Sequence, residues 1–319
     1  MLRYYLGRAA CILTSLLLAA SVVAVTLCGM TVGFFKSQSF IKNNCMPCSE
    51  AVIADIDTAA AGAAVAASLP EDAFAGAVNN ENFSVVADEI ARMFSYRYAA
   101  DYTESTAIYE LFFNRLTDYS NKNSLGLKQE ELESAASLAV SYVNFRLSGN
   151  DSKQVKLFNF AADAKALYLL IGGVAVFAAC IVALELLNHG RHRKFSFIGM
   201  GFMTAGYLLM LVPLALRMSG ILERYRFCVY QPYDDIVRLC HQSLLQWLML
   251  AGVPMLVAGV VMLLINYRYY AKKLKKARAS REDYDKLKED FMETPKPPKP
   301  RKEGEELERH VMKIDFEEE

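Results

Sequence analysis

Four stretches of the chain are almost free of charge: Ala9 to Phe35, Ala166 to Leu187, Phe195 to Leu216 and Leu244 to Ile265. A hydrocarbon core about 30 Å thick takes roughly 20 apolar residues of helix, and each stretch is long enough. A core helix of a soluble protein would show a polar face every third or fourth residue, and none of the four does. Glu185 stands only at the end of the second stretch. A charge at the centre of one would cost about 2.5–3.5 kcal/mol on insertion. The pattern predicts four membrane spans. The first exceeds the roughly 7–15 apolar residues of a cleaved signal peptide. Leu27 precedes Cys28, where a lipoprotein anchor would need a small residue. The first stretch is therefore read as an uncleaved signal anchor.

Between the first two spans lies a long polar segment, residues 36–165. Apolar positions recur in it at helical spacing. Ile108, Leu111, Phe112, Leu116 and Tyr119 mark one helix, with Thr103 placed to cap it. Leu132, Ala136, Ala139, Val143 and Leu147 mark a second, ended by Gly149-Asn150. Val86, Ile90, Met93, Phe94 and Arg97 mark a third, capped from Asn82 or Ser84, and the alanine-rich stretch Ser49 to Ser68 a fourth. Few β-branched runs or glycine turns interrupt them. The fold class expected is all-α: four transmembrane helices, with a helical-bundle extracytoplasmic domain inserted between spans one and two. The Ala59–Ala67 run is too short to span and reads as a closely packed helix rather than a re-entrant segment. Tyr96, Tyr98, Tyr102, Tyr109, Phe112 and Phe113 read as core before they read as a ligand groove.

Charge adds orientation. Arg3 and Arg8 precede span one, Arg191, Arg193 and Lys194 fill the link between spans two and three, and a dense cluster including Lys272, Lys273, Lys275 and Lys276 follows span four. All three fall on one side, which the excess of Lys and Arg assigns to the cytoplasm. Arg217, Arg224, Arg226 and Arg238 vote the other way and are outnumbered. Both termini are then cytoplasmic in a multi-pass protein of the cell membrane. Residues 1–35 form the N-terminus and first span, 36–165 the outside domain, 166–266 spans two to four, and 267–319 a charged tail. That tail holds the proline run 295–300 and an acidic end. Its four lysines are placed to meet lipid headgroups. A protein partner at the domain or the tail is an open expectation. Formal net charge is zero, so no field invites nucleic acid.

No P-loop, GxSxG, HExxH or dinucleotide fingerprint is present. With His241 as the single outside histidine, a His-ligated metal hydrolase or a Ser-His-Asp triad is not expected. Chemistry falls to cysteine. Of seven cysteines, Cys11, Cys28 and Cys180 lie in the apolar stretches, and Cys45, Cys48, Cys228 and Cys240 in polar ones on the outside. The polar four are disulfide candidates. Two bridges, or one bridge between the loops, would tie the base of the domain. Thiol exchange and a zinc site of all four are the alternatives, and no resident metal or cofactor is expected.

Four spans, Cys45-Met46-Pro47-Cys48 after the first and Cys228 with Cys240 between the third and fourth resemble the DsbB family of quinone-linked disulfide-generating membrane enzymes. That likeness implies a quinone cofactor coupled to Cys45 and Cys48, with Cys228 and Cys240 exchanging with a soluble thiol oxidoreductase. The chain departs from the family in its long first outside segment. It also has Ser49, Glu50 and Ala51 where an arginine would follow. Gly126-Leu127-x-x-x-Glu131-Leu132, Tyr142 and the Tyr225–Val237 segment with Pro232 and Asp235 are similar to those of an uncharacterised family of bacterial four-span integral membrane proteins, which implies topology alone. The expectation is a non-enzymatic sensing or assembly protein of the envelope, with the quinone-linked oxidoreductase as the alternative. A transporter ranks third: Pro213, Pro254 and Gly172-Gly173 could break helices, but no span holds a central ionisable residue.

Overall fold

The computed structural model describes residues 2–96, 106–148, 164–187, 191–228 and 231–292. Its regular structure is helical, with no strand among the described residues. Helix α1 spans Leu2–Phe35, α2 Gln38–Cys45, α3 Ser49–Ala66, α4 Phe83–Tyr96, α5 Thr106–Lys122 and α6 Gln129–Ser148. Helix α7 spans Ala164–Leu187, α8 Arg191–Met218 and α9 Gln231–Met292. Four of them, α1, α7, α8 and α9, are long and apolar enough to cross a membrane. Their outer surfaces are apolar: Leu13, Tyr168, Leu186 and Val257 are among the exposed side chains.

Three expectations fall outside the described residues. They are the cap at Thr103, the positions Arg97, Tyr98, Tyr102 and Gly149-Asn150, and the proline run with its acidic end.

The chain divides into two compact units. The first comprises Met1–Val25, Gly172–Met210 and Leu250–Glu319. Its helices meet at small residues. A Cβ on Gly206 would lie 2.7 Å from Leu256 N and 2.9 Å from Gly252 O, and one on Gly259 2.6 Å from Met203 N and 2.7 Å from Gly199 O. Gly199 therefore faces Gly259 and Gly206 faces Gly252, an antiparallel register in which the two glycines of each helix stand seven positions apart. Hydrocarbon gives apolar helices no reason to avoid it, so close backbone approach and dispersion must supply the association. Gly201 does the same for α1, where a Cβ would meet Leu18 Cδ2 at 2.9 Å. Ser15 Oγ donates to Phe197 O at 2.7 Å, adding a polar tie between α1 and α8. Pro213 and Pro254 sit inside helices that continue past them, and α7 runs through Gly172-Gly173, so these residues do not break the helices.

The second unit comprises Thr26–Ile171 and Leu211–Met249. Here α3 packs on α6, α2 on α4, and α5 on α6. Helix α3 buries Val52, Ile56, Ala59, Ala60, Ala63 and Ala64, a single stripe of mostly small side chains at helical spacing. Gly62 lies 3.6 Å from the Tyr142 ring, measured from an added Cβ. The alanine run is thus a packed helix. It closes on Ser68 in the left-handed region (φ 60), with Leu69 N donating to Ala64 O at 2.8 Å, a cap usually given to glycine. Phe112 is fully buried and meets Phe74 edge to face at 5.7 Å, so this aromatic belongs to the core. Asn82 does not act as a simple cap for α4. Its carbonyl accepts from Asn79 N and its amide donates to Ala77 O, which closes the preceding loop. Glu131 accepts from Lys128 N at 2.8 Å and so satisfies one donor at the start of α6.

The stretch between spans three and four corrects the sequence reading. Arg217–Ser243 reads as a connecting loop, yet α9 begins at Gln231 and runs through the span as one helix of 62 residues. Pro232 in its first turn loses no hydrogen bond there, because that N–H has no partner in any helix. Tyr233, Ile236, Val237, Cys240, Leu244 and Leu248 then form one buried stripe.

Candidate functional site: three cysteines beside an open groove

The site lies wholly in the second unit. Ser37 caps α2 by accepting from Phe40 N at 3.3 Å, and Ile41 and Cys45, one turn apart, both point inward with 0% exposure. Met46–Cys48 tightens to a 3-10 turn, with Pro47 where a proline is tolerated. Cys48 then becomes the residue before α3, and its side chain makes no capping bond. Cysteine is a poor acceptor, so the CxxC spacing ends one helix and starts another without serving as a cap.

Opposite stands the first part of α9. Asp234, buried, accepts at Oδ1 from Phe227 N and from Cys228 N, the latter at 3.0 Å. Its Oδ2 takes Arg238 Nη2 at 2.6 Å, while Arg238 Nη1 lies 3.2 Å from Asp235 Oδ1. One carboxylate therefore straps the Phe227-Cys228 backbone onto the helix, and one guanidinium neutralises it. Phe227 stacks on His241 with centroids 4.9 Å apart, and Phe35 lies 5.6 Å from the same imidazole. His241 Nδ1 sits 2.8 Å from Val237 O, which requires the proton on that nitrogen.

The two halves are joined beside the thiols. Ser243 Oγ donates to Asn44 Oδ1 at 2.7 Å, one residue from Cys45 and one helical turn from Cys240. Cys48 shares a groove wall with Leu239, next to Cys240 on α9, and with Gln242. The Cys240 thiol is raised first by burial, and then by Cys45 and Cys48. The structure thus gathers Cys45, Cys48 and Cys240 into one cluster, and Cys228 is held by its backbone to Asp234. Cys45, Cys48 and Cys240 are unbridged here and stay candidates for a disulfide. Among the described residues no group of three or more His, Cys, Asp or Glu side chains is arranged to hold a metal ion.

Burial pushes the Cys45 thiol up to about 12, with Cys48 contributing second. Cys48 is raised too, first by burial and then by the Asp235 carboxylate, with Arg238 pulling the other way. At neutral pH a thiol of pKa near 12 is ionised in only about one molecule in 10⁵, and the thiolate is the nucleophile. Cys45 as it stands is poor at attack.

Cys48 also opens onto a groove of about 850 Å³, lined by Pro47, Glu50, Ala51, Glu223, Asp235 and Arg238 among others. Asp234 with Arg238, and Tyr233 in the buried stripe that holds Cys240, are site residues that the sequence did not single out. Their i, i+4 spacing and the apolar stripe from Tyr233 were the signals available. The tail lysines fall on α9, with Lys272, Lys275 and Lys276 exposed. At 100° per residue these three lie within about 100° of arc, on one face.

Comparison with family models, with curated proteins and with solved structures finds no match.

Proposed function

We propose that this chain is a non-enzymatic membrane protein of the cell envelope, serving sensing or assembly, whose cysteine cluster fastens the second unit rather than catalysing exchange. The observation that carries this reading is the complete burial of Cys45 with its thiol held protonated. A catalytic thiol needs access and a lowered pKa, and Cys45 has neither. A bridge from Cys240 to Cys45 or Cys48 would join α2 and its following turn to α9, where the Asn44–Ser243 hydrogen bond already holds them together. In this reading the second unit faces the outside, both termini lie in the cytoplasm, and no cofactor is required. The bilayer is one partner, met by Lys272, Lys273, Lys275 and Lys276, and a protein docking on the domain or the tail is the other.

Aromatic placement supports the membrane setting. Trp247 packs with Phe34 at 5.8 Å, and Tyr267, Tyr269 and Tyr270 lie farther along α9. From Trp247 to Tyr267 is 267 − 247 = 20 residues, about 30 Å of helix, matching a hydrocarbon core between two aromatic belts.

The quinone-linked alternative rests on one specific observation, the opening of Cys48 onto the groove. Thiol trapping of the protein from intact cells, with disulfide mapping, separates the two. The fastening reading expects a bridge involving Cys240 that resists mild reductant, as structural disulfides with potentials below about −300 mV do. Quinone reduction driven by a dithiol protein and abolished in Cys48→Ala would overturn it.

A further inference from the structure

Of the four outside cysteines, Cys45, Cys228 and Cys240 are buried and Cys48 is not. Whatever oxidises or reduces this cluster must therefore come through the groove on which Cys48 opens. The charges lining that groove are unequal. Glu50, Glu223 and Asp235 supply three carboxylates, against the one guanidinium of Arg238. That guanidinium is already committed to Asp234 at 2.6 Å and to Asp235 at 3.2 Å. Glu50 and Glu223 are exposed, and the groove presents them without a counter-ion of its own among its lining residues.

We propose that Cys48 is the exchange site of the cluster, and that the groove selects small disulfides and thiols bearing positive charge. The inference deepens the fastening reading, on which it rests, by naming how the bridge is made. The Cys48 thiolate attacks one sulfur of an incoming disulfide R–S–S–R. The S–S bond breaks, R–S⁻ leaves and takes up the proton that Cys48 gave up, and Cys48–S–S–R remains. The Cys45 thiol, as its thiolate, then attacks Cys48 Sγ and expels the second R–S⁻, leaving Cys45–S–S–Cys48. Two protein thiols have lost two electrons and two protons, and one small disulfide has become two thiols. Cys240, buried one helical turn from Ser243, whose hydroxyl bonds Asn44 beside Cys45, can as its thiolate attack Cys45 Sγ and expel the Cys48 thiolate, which takes up the proton that Cys240 gave up. This last exchange joins α9 to α2 without further oxidant.

The ligand's charge matters for two reasons. Carboxylates concentrate cations in a groove. A positive group beside Cys48 also opposes the Asp235 carboxylate, and so favours the thiolate that must attack.

The test uses the reduced full-length protein in neutral detergent micelles. It is treated separately with cystamine (cationic), 2-hydroxyethyl disulfide (neutral) and dithiodiglycolate (anionic). Each rate is divided by that of a small model thiol, which removes the intrinsic reactivity of the reagent. Peptide mapping over time locates the first adduct. Expected is a first adduct at Cys48, with the normalised rate of cystamine exceeding that of dithiodiglycolate by about tenfold at low ionic strength and less in salt. Glu50→Gln with Glu223→Gln should bring the two rates together. First adducts at Cys45, Cys228 or Cys240, or equal normalised rates, would overturn the proposal. So would a cystamine preference surviving in the double variant. A Cys48 adduct that forms with the cationic preference but never resolves into a protein disulfide supports the exchange site and rejects the fastening.

Discussion

Cys45 keeps its proton because its surroundings offer no water to a thiolate, and that has a consequence for the reduced protein. In the folded state the thiol sits at about 12, against 9.0 when exposed. The unfolded chain therefore releases a proton above pH 9 that the folded chain still holds. Stability from this group is complete below pH 9 and declines as pH rises toward 12, at up to about 1.4 kcal/mol per pH unit. Unfolding of the reduced protein at pH 8 and pH 10 should show this loss, and Cys45→Ala should show less of it. An equal loss in both would mean that other groups carry the alkaline sensitivity. The sequence made the four cysteines of the polar segments conspicuous, but it did not say which of them meet. Cys240 joins the CxxC pair because α9 starts at Gln231, and a proline-containing polar stretch read as loop hides that start. Asp234 was hidden for a different reason. A carboxylate that folds back on Phe227 and Cys228 is a local bond, visible only once the turn exists.

Among the elements, the helices of the first unit depend on glycine far more than those of the second. A Cβ at Gly259 would stand 2.6 Å from Met203 N and 2.7 Å from Gly199 O, both backbone atoms that move only if the helices part. Gly259→Ala should therefore destabilise the detergent-solubilised protein by roughly 1–3 kcal/mol, the usual cost of overpacking. At Gly62 an added Cβ would meet the Tyr142 ring at 3.6 Å, an ordinary contact. Gly62→Ala should be tolerated, and should gain up to about 1 kcal/mol from helix propensity. Thermal unfolding of the two variants side by side checks the contrast, and equal destabilisation would deny the close crossing. The spacing 199, 206 and 252, 259 was legible as numbers, yet its register was not. Nothing in a single helix says that Gly206 faces Gly252 and not Gly259. Spans and packed alanines were easier to read, because a long uncharged run and a small-residue stripe each have one cheap solution in their own solvent.

At the scale of the whole molecule, the proposed orientation turns on charges near the helix ends. Lys272, Lys275 and Lys276 continue α9 beyond Tyr270, and Arg8 stands near the start of α1, whereas Arg217 lies in the last turn of α8, Arg224 and Arg226 lie between α8 and α9, and Arg238 lies in the early turns of α9. Arg238 is paired with Asp234 and Asp235, but orientation follows the count of Lys and Arg rather than net charge, so the proposed cytoplasmic placement of α9's far end rests on the density of the tail lysines. Cysteine labelling of intact cells tests this, but the reporter must be accessible. Ser120 is buried, at 6% exposure, and would stay silent on either side. Its neighbour Asn121 and the tail residue Ala279 are exposed. In a Cys48→Ser background, an impermeant maleimide should modify Asn121→Cys in intact cells and Ala279→Cys only after the membrane is opened. The reverse pattern would invert the molecule, placing the cysteine cluster in the reducing cytosol. There a stable bridge would not form, and the fastening would be lost along with the orientation.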